Sequence, residues 1–169
     1  MAVNRYREHL VVYLEDAPYR EIMNGAKLLP QVNAERIDVK PPAGGWKKVF
    51  QTLEENLPLL QRYSQMYVLL LMDFDSVYSS RKQQLNRLTA DTGHQERIFM
   101  LGIDHKESED LKRSLSQPNH EEIAALLLAG CPEKTCPEWS SDHLACNLEE
   151  IQRMRDLGVT AWLFNHVTT

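Results

Sequence analysis

Residues 67–77 read Tyr67-Val68-Leu69-Leu70-Leu71-Met72-Asp73-Phe74-Asp75-Ser76-Val77. The apolar run from Tyr67 to Met72 is too short for a membrane helix and lacks the alternating polar face of a surface strand. It predicts a strand covered on both faces, as at the centre of a parallel sheet. Open α/β sheets collect their ligands beyond the C-terminal ends of the strands, where this chain places Asp73 and Asp75. If the backbone stays extended here, both carboxylates project to one side and Phe74 turns to the core. Such a pair of anions suits a shared hard cation, Mg²⁺ or Mn²⁺. The competing expectation is a helix cap and a solvated turn.

Upstream, Leu10 to Leu14 is a β-branched, apolar strand ending at Glu15 and Asp16. Pro18 suits the first turn of a helix over Tyr19–Leu29, whose Ile22, Met23, Ala26 and Leu29 form one stripe. Ile37 to Val39 is a short second strand, and a Pro/Gly loop then leads into a helix from Trp46 to about Gln61. Downstream, Ser79 and Ser80 are candidate caps for a helix over Arg81–Ala90, and Arg97 to Ile103 is a fourth strand ending at Asp104. Strands alternating with helices predict an α/β fold with a doubly wound, mostly parallel sheet of about four strands. The remainder is expected to be helical, over Glu109–Leu115, Asn119–Ala129 with Asn119 as cap, and Leu148–Leu157. Ala161–Phe164 is read as either an edge strand or a docking helix. The whole is read as a single domain, an α/β core over 8–115 with a helical C-terminal extension over 116–169 packed on it.

At 169 residues, 43% hydrophobic and 25% charged, the composition is that of one globular domain. A net charge of −5 argues against a protein that coats DNA or an anionic membrane by charge alone. With no apolar leader and no run near 18 residues, the expectation is a cytoplasmic protein without membrane contact. Three cysteines within 131–146 do not make a secreted disulfide framework.

Topology thus brings Glu15, Asp73, Asp75 and Asp104 to one sheet edge. A Glu after the first strand and an Asp-x-Asp after a later one resemble the Toprim domain, the metal-binding fold of topoisomerases, primases and nucleases of the overcoming-lysogenization-defect type. The likeness covers roughly residues 8–115 and is nearest to small bacterial Toprim-like proteins. It implies that Glu15 acts in acid-base chemistry or metal binding and that Asp73 and Asp75 hold Mg²⁺. The acidic run Asp104 to Asp110 resembles the acidic helix start of the nuclease branch, with Asp104 and Glu107 or Glu109 as further metal candidates. The implied activity is metal-dependent hydrolysis of DNA or RNA. Toprim proteins often carry a Gly beside the Glu, whereas this chain has Leu14-Glu15-Asp16.

Two basic groups are candidates to receive phosphate on that edge. One is Lys40, Trp46, Lys47 and Lys48 around Gly44-Gly45, with the indole available for base stacking; the other is Arg81 and Lys82. A solubilising surface explains the same letters. Two further functions compete. A non-catalytic Toprim-like subunit would work through a protein partner or a homo-oligomer, using Trp162, Leu163 and Phe164 as contact or core. A haloacid-dehalogenase-type phosphatase would use Asp73 as nucleophile and Asp75 as acid-base, with Asp104 and Lys82 or Lys106 in support. Cys131, Cys136, His143 and Cys146 could form a Cys₃His zinc site, but their spacing is unusual, and buried cysteines are the preferred reading.

Overall fold

A computed structural model describes residues 2–165. Four strands, β1 (His9–Leu14), β2 (Ile37–Val39), β3 (Met66–Asp73) and β4 (Ile98–Ile103), form one all-parallel sheet in the order β2-β1-β3-β4. The apolar run of β3 is central, as its lack of a polar face requires. The helices are α1 (Ala17–Leu28), α2 (Trp46–Arg62), α3 (Tyr78–Thr89), α4 (Leu111–Ser114), α5 (His120–Leu127), α6 (Leu148–Asp156) and α7 (Val159–Leu163).

Strand periodicity divides the core into two layers. Leu10, Val12 and Leu14 with Leu69 and Leu71 face Tyr19 and Met23 of α1, Ile123 and Leu127 of α5, and Met154, Val159 and Leu163 near the C-terminus. Val11 and Tyr13 with Val68, Leu70 and Met72 face Val49, Phe50 and Leu53 of α2 and Leu85 of α3. The fold is therefore doubly wound, and the C-terminal helices share the core of the sheet. Leu70 and Met72 are fully buried, so truncating either to Ala costs about 2–5 kcal/mol. Gly25 allows α1 and α5 to meet backbone to backbone, since a Cβ there would run into Glu121. The outer edge of β4 is covered by side chains: Asn147 accepts from the Gly102 N–H at 2.9 Å and donates to its carbonyl at 2.7 Å, and Arg153 donates to the Ile98 carbonyl. Such covering blocks pairing with another chain.

The chain passes from β1 outward to β2 and returns through α2 to β3 on the other side of β1. The helices that follow β1 and β3 consequently lie on opposite faces, and a crevice opens between the two strand ends. Asn119 caps α5 as the sequence predicts, its side chain accepting from Glu122 N–H at 2.9 Å. Other expectations need correction. Helix α3 starts at Tyr78, after Val77 and without a side-chain cap, so Ser79 and Ser80 lie inside it. The acidic helix expected at 109–115 is a 3-10 turn over Ser108–Asp110 leading into the single turn of α4. At the C-terminus α7 is a helix, after which Phe164 makes an isolated antiparallel bridge with Val32. Among the described residues no helix is long and apolar enough to cross a membrane.

Candidate functional site

At the crevice the end of β1 meets the end of β3. The Glu15 N–H donates to the Leu71 carbonyl at 2.9 Å, and the Glu15 carboxylate accepts from the Asp73 N–H at 2.8 Å. Asp73 is buried, and each of its oxygens has a partner: Tyr19 of α1 donates its hydroxyl to Oδ1 at 2.7 Å, and the Ser108 N–H reaches Oδ2 at 3.1 Å. Ser108 also donates its hydroxyl to Asp16 at 2.8 Å, while the other Asp16 oxygen is buried without a hydrogen-bond partner. His120 anchors Ser108, its Nε2 lying 3.1 Å from the Ser108 carbonyl and its Nδ1 3.0 Å from Glu21.

Electrostatics follow from this crowding. Burial pushes the Asp73 carboxyl up to about 6; the bonds from Tyr19 and Ser108 pull it down, and the charges of Asp16 and Asp75 push it further up. Burial likewise raises Glu15, opposed by the Asp73 N–H and assisted by the charges of Asp73, Asp16 and Asp75. Burial, then the Asp73 charge, holds the Tyr19 hydroxyl well above its ordinary value.

Asp75 departs from the expected extended pair. The strand ends at Asp73, and Asp75 and Ser76 both adopt left-handed backbone, φ +50° and +62°. Phe74 does fill the core. Asp75 turns toward solvent, where Arg81 meets it at 3.3 Å. Two successive left-handed residues other than Gly carry strain, and the turn is held by the Val77 N–H on the Phe74 carbonyl at 2.8 Å and by the Ser76 hydroxyl 2.9 Å from His105. Asp104 is buried beside His105 and the Cys146 thiol, and the charges that bear most on Glu15 are those of Asp73, Asp16 and Asp75, and on Asp73 those of Asp16 and Asp75.

Most of the proposed phosphate groups are otherwise engaged. Arg81 is buried, its guanidinium 3.5 Å from the centre of the Trp46 ring, so one indole face is covered and the base-stacking expectation for Trp46 meets an occupied surface. Trp46 also packs edge-on against Phe50. Lys82 pairs with the buried Glu150 at 2.7 Å, and Lys40 with Asp38 at 2.7 Å. Lys47 and Lys48 are exposed at the start of α2, and that start is tied to the site by the Gly44 N–H on the Glu15 carbonyl at 2.8 Å.

The three cysteines are free thiols split between the layers: Cys131 and Cys136 pack on the α1 side of the sheet, Cys146 on the α2 side. Burial pushes the Cys136 and Cys146 thiols up to about 11. Among the described residues no three His, Cys, Asp or Glu side chains form a ready-made ligand group. The carboxylates at the crevice are contiguous but turn toward protein donors rather than a common centre.

Asp16, Tyr19, Ser108 and His120 complete the site and were not singled out by sequence. A signal existed for Tyr19, which lies three residues beyond the N-cap position Asp16 and so on the same side of the first helical turn. Ser108 lies in the acidic run singled out at 104–110, but nothing in the sequence marked its own N–H, which a turn 35 positions beyond Asp73 brings to the site. Compared with protein-family models, curated proteins and solved structures, the chain shows no significant match.

Proposed function

We propose that this protein is a divalent-cation-dependent phosphodiester hydrolase acting on nucleic acid, with its site at the crevice between β1 and β3. The observation that supports it is the junction of Glu15 and Asp73 across the topological switch point, where crowded carboxylates hold raised pKa values. The Toprim-like pattern of Glu15, Asp73 and Asp75 agrees with this reading. The donor set is all oxygen, the ligand type that Mg²⁺ or Mn²⁺ prefers, and one buried Asp16 oxygen has no protein hydrogen-bond partner. Glu15, Asp16 and Asp73 would hold the ion only by turning from the protein donors they now meet, with Asp75 at the rim. Bound there it would neutralise the cluster and polarise a phosphate oxygen.

The protein's own groups have distinct tasks. Glu15 is half-buried, and burial raises its pKa, which makes it a stronger base toward an attacking water. Tyr19 and Ser108 fix the rotamer of Asp73 from opposite sides. Lys47 and Lys48 supply exposed positive charge for a phosphate backbone in a protein of net charge −5.

A second reading, a non-catalytic subunit working with a protein partner, is favoured by the pairing of Asp75 with buried Arg81 and by the internal hydrogen bonding of Asp73. Incubation with labelled single- and double-stranded DNA and RNA in Mn²⁺, Mg²⁺ or EDTA separates the two. The hydrolase should cleave at least one substrate in Mn²⁺ or Mg²⁺, not in EDTA, and lose about 100-fold or more in Glu15→Gln and Asp73→Asn. No metal-dependent cleavage, or cleavage unchanged in both variants, would favour the subunit.

A further inference from the structure

A cavity of about 170 Å³ lies between the α1 face of the sheet and the helices that cover it. Its walls are almost wholly carbon, with Leu10 and Leu69 from the sheet, Met23 from α1, Ala124 from α5, and Trp139 and Leu163 from the C-terminal region. Protein interiors are packed to near-crystalline density and rarely contain a void much larger than a water molecule. A dry apolar void of about 150 Å³ accepts a one-ring hydrocarbon. The space at this sheet is therefore of ligand size.

Its one strongly polar feature is Arg155 of α6. The partly buried side chain lines the cavity beside the Cys131 thiol, and its Nε is buried with no oxygen acceptor among the described residues. A buried guanidinium N–H without an acceptor is uncommon, because desolvation is then uncompensated. One guanidinium balances one negative charge, and its planar fork matches a carboxylate.

We propose that this cavity binds a small molecule with an apolar body, the size of one aromatic ring or a short acyl chain, and a single carboxylate received by Arg155. The site is separate from the carboxylate crevice and does not depend on the hydrolase reading. The two nevertheless share a wall, because Tyr19 lines the cavity while its hydroxyl holds Asp73. An occupant would thus sit against the residue that orients that carboxylate.

Ligand-observed NMR with benzoate, hexanoate and toluene tests the proposal on the full chain. Benzoate or hexanoate should bind saturably. Arg155→Gln should weaken the carboxylates about tenfold or more while leaving toluene unchanged, the loss expected for a charge-assisted contact. Ala124→Leu, which fills the cavity, should abolish binding of all three probes; if that variant does not fold, Leu128→Phe at the same wall serves instead. Absence of saturable carboxylate binding to the wild type, binding that survives a folded, filled variant, or carboxylate affinity indifferent to Arg155→Gln would each overturn the proposal.

Discussion

The hydroxyl of Tyr19 donates to the Asp73 carboxylate at 2.7 Å, joining the first turn of α1 to the last residue of β3 across 54 positions of sequence. The bond is buried, and it is one of two that restrain a carboxylate raised by its surroundings. Tyr19→Phe should therefore cost about 1–3 kcal/mol, the penalty for leaving a buried polar group short of a partner. The Asp73 pKa should move further up, because the lost bond favoured the charged form. Urea denaturation and carboxyl ¹³C NMR titration measure the two effects.

The raised pKa of Asp73 fixes the sign of a pH effect. The folded state binds this proton more tightly than the unfolded chain, so the stabilisation is complete below the ordinary carboxyl pKa and is lost as pH rises through about 6. Asp73→Asn has no such titration. Its stability relative to wild type should rise by up to about 3 kcal/mol between pH 3.5 and 7. Denaturation of both proteins across that range measures the difference; a constant difference would show that Asp73 titrates normally.

Arg81 and Asp75 are unequal partners. Arg81 is buried against Trp46, whereas the Asp75 side chain is 55% exposed and gains little from an ion pair in water. Asp75→Asn should change stability by less than about 1 kcal/mol. Arg81→Lys, which loses the planar stack on the indole, should cost about 1–2 kcal/mol. Thermal melts of the two variants would reverse this order only if Asp75 carried the strain of the turn.

Asn147 closes the sheet edge. Asn147→Ala removes both bonds to Gly102 and leaves a buried N–H and C=O unpaired, at a cost of about 2–4 kcal/mol. Chemical denaturation gives the value directly, and a cost below about 1 kcal/mol would mean that water replaces the amide.

Local pattern carried much of the fold. The unbroken apolar run of β3 placed it at the sheet centre, and the stripe of Val49, Phe50, Leu53, Leu57 and Leu60 placed α2, because burial on two faces or one leaves a direct trace in residue order. The convergence of Glu15 and Asp73 was legible for the same reason, since parallel strands send their ends to one edge. The direction of Asp75 was not. It depends on left-handed backbone at Asp75 and Ser76, held by a distant His105, and neither residue type announces that conformation. The engagement of Arg81 with Trp46 was equally hidden, because the contact joins the starts of two helices separated by a strand. Ser108 and His120 enter through tertiary hydrogen bonds that no spacing encodes.

Divalent-ion binding at the Glu15–Asp73 junction is tested most directly by calorimetric titration of the wild type and of Asp73→Asn with Mn²⁺ at pH 7.5. The wild type should bind Mn²⁺ saturably, and its melting temperature should rise with Mn²⁺ concentration as binding to the folded state requires. Asp73→Asn should show neither effect while remaining folded in EDTA. Wild type without saturable Mn²⁺ binding, or an Asp73→Asn variant that binds it equally well, would contradict a metal centre built on these two carboxylates.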